Sequence, residues 1–162
     1  MPCTSETTTA DRLQRLARSV PFVLIGTAAL QRLRPQALSG YVLPDLDILL
    51  RPEVLPEFVA AAQAQGLSVT CWGDPWQPQW SHVDVAGRWY VRARGPGLPI
   101  DATFECPFID VAAAHRQACW IDGVPIGPEP MVWRLKWLKD PARCAAFARQ
   151  HGLTIPAWAR RD

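Results

Sequence analysis

The decapeptide YVLPDLDILL, residues 41–50, carries two carboxylates on alternate positions of a short apolar run. Alternate residues of a strand point to the same side of a sheet. Leu46, Ile48 and Leu50 are therefore predicted to face the core, with Asp45 and Asp47 side by side on the opposite face. Two ionised carboxylates so close repel each other unless a cation neutralises them. The pair is either a solvated sheet face or a site for a cation.

The chain has 162 residues, of which 49% are hydrophobic and 20% charged, and its net charge is +2. These values are typical of a soluble globular protein. A charge this small neither demands nor excludes a nucleic acid partner. We expect one domain, residues 1–162, with a core at about 12–108 and a short helical C-terminal part at about 109–162. Residues 1–8 are polar and are predicted to be disordered.

The sequence contains no recognisable secretory signal, and no apolar run approaches the ~20 residues of a membrane span. Its five cysteines are widely separated and include no CxxC pair. This pattern favours reduced thiols over a zinc site. We therefore expect a cytoplasmic protein with no membrane partner.

Hydrophobic periodicity predicts an α+β fold, a mixed β-sheet flanked by helices. Helices are predicted from Thr9 to Pro21, at 27–34, from Pro52 to Gly66, and at 109–119, 129–139 and 141–151, the last with Asp140 as its N-cap. Strands are predicted at 22–26, 45–50, 67–72, 82–86, 88–94 and 98–106, with a loop at 73–81 and a turn with extended flanks at 121–126.

Two further features complement the aspartate pair. Gly26 and Thr27 lie between a predicted strand and a helix, where glycine lets the backbone approach a ligand and the helix N-terminus favours an anion. Asp101, in PIDATFEC (99–106), alternates with apolar residues and is predicted to stand beside Asp45 and Asp47. Three carboxylates can hold two metal ions about 4 Å apart at a phosphoryl centre, and Mg²⁺ prefers such oxygen ligands.

A second aspartate competes for the third position. Asp84, in SHVDVA (81–86), also lies in an alternating run. We favour Asp101, because its flanks are apolar and it lies directly before the C-terminal helical part.

The segment RWYVRAR (88–94) places its arginines and Tyr90 on one face. If the hairpin loop is 95–98, Arg92 lies opposite Asp101 and Tyr90 opposite Thr103. Two interpretations of Arg92 stay open. It binds a triphosphate or an acidic acceptor such as tRNA, or it forms a cross-strand ion pair on an exposed sheet face.

Three motifs in this order, FVLIGTAALQRL (22–33), LPDLDILL (43–50) and PIDATF (99–104), resemble the pattern of the DNA polymerase β-type nucleotidyltransferases. The closest likeness is to the small bacterial branch that includes the AbiEii-type toxins. The tail VPIGPEPMVWRLKWLKDPAR (124–143) resembles that branch, with Lys136 as its helical lysine and Lys139-Asp140 as its basic–acidic pair. Two departures are Pro44, where the family often has Ser or Thr, and Arg143, where it often has an acid.

The resemblance implies a polymerase β-like fold and transfer of a nucleoside monophosphate from an NTP to an acceptor hydroxyl of RNA or protein. Gly26 and Thr27 would hold the triphosphate, and Lys136 would contact phosphates. Asp45 and Asp47 would bind Mg²⁺ or Mn²⁺, with Asp101 completing the metal triad and deprotonating the acceptor.

Other functions stay open on the same fold. A toxin of this branch would have an antitoxin partner. A small-molecule (antibiotic) nucleotidyltransferase shares the site and differs only in the acceptor. A non-catalytic nucleotide-sensing or partner-binding domain is favoured by the small size, whereas three aligned carboxylates favour an enzyme.

Overall fold

Six helices and eight strands lie within residues 9–161, the part of the chain that the computed structural model describes. The predicted disorder of residues 1–8 lies outside this range. The helices are α1 (Thr9–Ser19), α2 (Gly26–Leu33), α3 (Leu55–Ala64), α4 (Val111–Arg116), α5 (Glu129–Lys139) and α6 (Pro141–Gln150), with 3-10 turns at Pro52–Val54 and Ala157–Arg160. The strands are β1 (Val23–Ile25), β2 (Leu46–Leu49), β3 (Ser68–Cys71), β4 (Asp74–Pro75), β5 (Tyr90–Arg94), β6 (Ile100–Thr103), β7 (Cys119–Ile121) and β8 (Val124–Ile126).

The strands form one mixed sheet in the order β4-β3-β5-β6-β2-β1-β8-β7. Strand β2 is antiparallel to β1 and parallel to β6, and β6 is antiparallel to β5. This arrangement confirms the predicted α+β class with a mixed sheet. It also places the strand of the DLDILL motif at the centre of the sheet, between β1 and β6.

One face of the sheet carries the main hydrophobic core. Leu46, Ile48 and Leu50 are fully buried there, as the alternation of DLDILL predicts. They belong to the same cluster as Leu13 and Leu16 of α1, whose arginines at 15 and 18 lie on the solvent side. Helix α3 adds its own apolar stripe to this cluster. The amphipathic helices therefore fix which face of β2 points away from them.

The opposite face is covered only in part. Val23, Ile25 and Leu49 form a second, smaller cluster with Ala114 of α4. Leu49 lies two residues beyond Asp47 and so shares its face. The alternation within DLDILL did not predict that α4 covers Leu49, because the pattern of one strand does not show which distant helix packs on it. Asp47 consequently stands at the border between a packed and an open part of the sheet.

The predicted strand at 82–86 is wrong, because these residues form consecutive turns. Val85 is buried but Val83 is 69% exposed, so the two valines do not share a covered face. The Asp84 carboxylate bonds to Ser81 and holds the chain in a tight turn. Side-chain bonds of this kind compete with sheet pairing.

The segment at 121–126 is more regular than predicted. Strands β7 and β8 form a hairpin, and Ile126 of β8 pairs in parallel with Leu24 of β1. The hairpin extends the sheet beyond β1. It also brings the chain to the start of α5, which packs against α2.

None of the helices between residues 9 and 161 combines the length and the apolar character that crossing a membrane requires.

Candidate functional site

A row of polar residues crosses the open face of the sheet. Asp47 of β2 pairs in register with Asp101 of β6, which pairs with Arg92 of β5, which pairs with Thr70 of β3. Directly paired residues point to the same face. The predicted hairpin register, with Arg92 opposite Asp101 and Tyr90 opposite Thr103, is confirmed. The row therefore unites three of the predicted site residues.

The Asp47 carboxylate is the electrostatic centre of this row. Burial, followed by the charges of Asp45 and Asp101, raises the pKa of Asp47 to about 6, whereas Lys139 and Lys136 act in the opposite direction. Repulsion between neighbouring carboxylates has this effect when no cation separates them. The structure thus brings Asp45 and Asp101 within electrostatic reach of Asp47.

Gly26 lies against the Asp47 side chain. A Cβ atom on Gly26 would come within 2.5 Å of Oδ2 of Asp47, and the residue has φ of +71°. Both facts require glycine here, one for space and the other for the left-handed backbone. Gly26 is also the first residue of α2, so the positive end of that helix faces the carboxylate. The predicted approach of this backbone to a phosphate ligand stays a prediction.

Thr27, the next residue of α2, is held by Lys136 of α5. Nζ of Lys136 donates a hydrogen bond to Oγ1 of Thr27 at 2.8 Å. Burial lowers the pKa of Lys136, and the nearby charge of Asp47 is among the effects that raise it again. The ammonium also lies 4.7 Å from the centre of the Phe147 ring. A cation is therefore fixed at the N-terminus of α2, beside the carboxylates.

Arg92 and Asp101 form a two-fold hydrogen-bonded ion pair. Nε and Nη2 of Arg92 each donate to one oxygen of Asp101 at 2.5 Å. This bond raises the pKa of Arg92. The side chains are 31% and 13% exposed, so solvent reaches the guanidinium more readily than the carboxylate. Of the two interpretations left open by the sequence, the cross-strand ion pair is present, and a phosphate-binding role of Arg92 stays a prediction.

The donor set suits a hard cation only in part. Within residues 9–161 no group of three or more His, Cys, Asp and Glu side chains is placed to hold a metal ion. Asp45 and Asp47 offer carboxylate oxygens, and the missing side chain of Gly26 leaves room for the Asp47 carboxylate itself, whose Oδ2 would lie 2.5 Å from a Cβ there. Both oxygens of Asp101 are bonded to Arg92. Two of the three predicted ligands thus fit a cation such as Mg²⁺, which takes its remaining oxygens from phosphates and water.

Asp84 lies apart from the sheet. Its Oδ2 accepts hydrogen bonds from the backbone N and the hydroxyl of Ser81, at 2.7 and 2.9 Å. These bonds lower the pKa of Asp84, with the backbone bond contributing most. Asp101, rather than Asp84, is the aspartate aligned with Asp47.

Two contributors escaped the sequence reasoning. Lys139, whose role was left open, is the larger of the two lysine charges that lower the pKa of Asp47. The second is Phe147 of α6, whose ring lies under the ammonium of Lys136. Helix α6 begins after Asp140, whose carboxylate accepts a hydrogen bond from Arg143 N at 3.0 Å, and this confirms the predicted N-cap. The spacing of apolar residues on α6 predicts a packed face, but it carries no signal that this face meets a lysine.

Two cavities of about 310 and 380 Å³ lie elsewhere. One is lined by the end of α1 together with His115 and Trp120, and the other by α1, α2 and residues 41–43. No carboxylate lines either of them. The case for the polar row as a functional site therefore depends on its residues and their charges, not on an enclosed cavity.

Comparison of the chain with models of protein families, with curated proteins and with solved structures found no match.

Proposed function

We propose that the chain is a Mg²⁺- or Mn²⁺-dependent nucleotidyltransferase with a polymerase β-like fold, moving an NMP from an NTP to an acceptor hydroxyl. The observation that carries this proposal is the pairing of Asp47 with Asp101, with Gly26 packed against Asp47 at the start of a helix. A solvated sheet face has no need of a glycine packed against its carboxylate or of a half-buried lysine beside it.

The triphosphate would lie at the N-terminus of α2. Backbone N–H groups in the first turn of a helix have no partner within the helix and bind anions. Thr27 adds a hydroxyl, and Lys136 adds a positive charge already held 2.8 Å from it. A phosphate that replaced Thr27 as the partner of Lys136 would gain a charge-assisted bond.

Asp45 and Asp47 would hold the divalent cation at the triphosphate. A cation bound there would neutralise phosphate oxygens and stabilise the charge of the departing pyrophosphate. Asp47 would ionise more readily with a cation present, because the cation would offset the burial and the carboxylate repulsion that raise its pKa.

In the reaction, the acceptor oxygen forms a bond to the α-phosphorus while the bond from that phosphorus to the bridging oxygen breaks. Pyrophosphate leaves with the electron pair of the broken bond. The hydroxyl proton passes to a carboxylate, for which Asp101 is best placed, since it stands beside Asp47 in register. Asp101 is able to accept that proton only while Arg92 does not occupy both of its oxygens.

Transfer of labelled NMP onto cell extract tests the proposal. The wild-type chain is incubated with each α-labelled NTP and Mg²⁺ or Mn²⁺, beside Asp47→Asn and the control Asp84→Asn. We expect labelling by the wild type and by Asp84→Asn, and a loss of at least ~10³-fold in Asp47→Asn. Absence of label in every fraction, together with absence of metal-dependent NTP binding, would refute the enzyme.

A second candidate is a non-catalytic nucleotide-binding domain of the same fold. The ion pair favours it, because it occupies the carboxylate that transfer requires. Metal-dependent NTP binding without label transfer to any acceptor would select this candidate. A toxin role with an antitoxin partner and a cytoplasmic location stay predictions.

A further inference from the structure

The β5 side of the polar row presents an arginine and an exposed aromatic ring. Arg92 and Tyr90 lie two residues apart on β5 and share a face. Tyr90 is 38% exposed and pairs with Thr103, the residue two beyond Asp101. An anion-binding group and a flat ring are thus adjacent to the carboxylate that would receive the acceptor proton.

We propose that this face, Arg92 with Tyr90, is the acceptor subsite and takes a phosphate-bearing nucleotide at a single-stranded nucleic acid end. The acceptor phosphate replaces Asp101 on Arg92, and the base stacks on Tyr90. The inference rests on the proposed function, and it decides between the acceptors that the sequence left open.

The ion pair itself selects for phosphate. Arg92 binds Asp101 through two parallel N–H donors, a geometry that a phosphate matches equally well. When a phosphate occupies the guanidinium, both oxygens of Asp101 become free to accept from the acceptor hydroxyl. An acceptor without a nearby anion, such as a serine side chain or a neutral drug, leaves Asp101 locked. Phosphate binding and release of the carboxylate are therefore one event.

The backbone before Tyr90 departs from regular strand geometry, and two aromatic rings beside it, Trp89 and Phe108, are exposed. The carbonyl of Trp89 accepts from both Phe104 N and Glu105 N, at 2.9 and 3.3 Å, so two residues stand opposite one. Such a bulge re-aims side chains. Trp89 has φ of +68°, which a bulky residue rarely adopts, and its exposed ring lies 6.2 Å from that of Phe108. Strain retained for exposed rings is characteristic of a binding surface.

A single strand fits these features better than a duplex or a protein. Its bases have free faces, and stacking on an aromatic ring contributes about 1–3 kcal/mol per base in such complexes. Arg92 and Tyr90 together offer one guanidinium for a phosphate and one ring for a base, which matches a nucleotide of a single strand. A duplex hides its base faces and would meet only Arg92.

Binding of a fluorescent pentaadenylate RNA, measured by anisotropy without NTP or divalent cation, tests the subsite. We expect Arg92→Gln and Tyr90→Ala each to weaken binding about 10-fold. Arg92→Lys, which keeps the charge and loses the fork, should weaken it about 3-fold. The controls are Arg94→Gln on the same strand and Trp120→Ala, a 65% exposed tryptophan on β7, and each should change binding less than about 3-fold.

The direction in which Asp101→Asn changes RNA affinity separates the subsite from a merely structural ion pair. The substitution removes the competitor for Arg92 and should tighten RNA binding several-fold, whereas a merely structural ion pair would weaken binding when either partner is lost. Equal effects of Arg92→Gln and Arg94→Gln, unchanged or weaker binding by Asp101→Asn, or no binding by the wild type would each overturn the subsite.

Two further probes separate the possible ligands. A blunt duplex of equal length should bind less tightly than the single strand. Inorganic phosphate should compete for Arg92 better than chloride at equal ionic strength, but it has no base for Tyr90 and should displace the RNA only at far higher concentration than unlabelled pentaadenylate. Equal binding of the duplex, or displacement by phosphate at the same concentration as by pentaadenylate, would contradict the nucleotide subsite. Failure of Mn²⁺-dependent NTP binding would refute the proposed function instead, because the RNA assay contains neither.

Discussion

Two segments of this chain carry an aspartate between alternating apolar residues, and they fold differently. PIDATF (99–104) forms the central strand β6, whereas HVDVA (82–86) forms turns. Ile100 and Ala102 are both fully buried, whereas Val83 is exposed and only Val85 is buried. The same alternation of polar and apolar residues thus forms a strand in one segment and turns in the other.

The difference lies in what each segment finds around it. Strand β6 has hydrogen-bonding neighbours on both edges, β5 and β2, and a core beneath it. In the 82–86 segment the carboxylate of Asp84 instead accepts hydrogen bonds from the backbone N and the hydroxyl of Ser81. Alternation marks a strand only where both the apolar face and the backbone edges find partners.

The test with the largest expected effect on unfolding free energy places a charge at an apolar position of each segment. Ala102→Asp would bury an unpaired carboxylate in the core and should cost at least ~3 kcal/mol of unfolding free energy. Val83→Asp should change that free energy by no more than ~0.5 kcal/mol, because Val83 is already exposed. Urea unfolding followed by circular dichroism measures both. Similar losses would show that the two segments are not distinct in packing.

The next test compares the two aspartates in function. Asp101→Asn should lower the rate of nucleotide transfer about 10³-fold, because it removes the group that accepts the proton. Asp84→Asn should leave the rate within about two-fold. Single-turnover label transfer with saturating NTP and Mg²⁺ measures both rates. Comparable losses in the two variants would mean that alignment with Asp47 does not identify the functional carboxylate.

A smaller effect concerns the pKa of Asp47 on β2, which burial raises most, followed by the charges of Asp45 and Asp101. Because the folded pKa of Asp47, about 6, lies above its unfolded value, protonated Asp47 stabilises the fold below pH 4, and this contribution is lost as pH rises through 6. Asp47→Asn should therefore match the wild type near pH 4 and exceed its Tm by roughly 3 °C at pH 8. Thermal melts in EDTA across this range measure the difference. A Tm gap independent of pH would contradict the raised pKa of Asp47.

The smallest effect belongs to the turn. Asp84→Ala removes two hydrogen bonds to Ser81 and should lower Tm by about 1–2 °C at pH 7. The pKa of Asp84 is depressed in the fold, so this stabilisation is present above its unfolded pKa and disappears as pH falls through the folded one. Melts of wild type and variant should therefore converge below about pH 3. A gap that persists there would assign the effect to something other than the carboxylate.

Local patterns predicted much of this fold. The alternation in DLDILL identified the buried side of β2, and parity with a short hairpin loop identified Arg92 as the partner of Asp101. Asp140 was recognisable as an N-cap because capping depends on residues three positions apart. These features depend on near neighbours or on a single turn, so the sequence contains their causes.

Distant contacts were not predictable in the same way. Lys136 meets Thr27 across 109 positions, and α4 covers Leu49 from the far side of the sheet. The resemblance to a known family suggested that Lys136 contacts phosphates, but it did not predict Phe147 beneath it or the bond between Arg92 and Asp101. Such contacts depend on how whole elements dock, which periodicity within one element does not encode.

The parallel pairing of β2 with β6 also governs when the site exists. Asp47 and Asp101 are neighbours in space, yet β3, β4 and β5 lie between them in the chain. Closing so long a loop precedes any gain from the contact, so pairings of this kind form slowly. A chain that has emerged from the ribosome only as far as β5 holds Asp45 and Asp47 but lacks Asp101. The three aspartates therefore come together only when β6 inserts between β5 and β2.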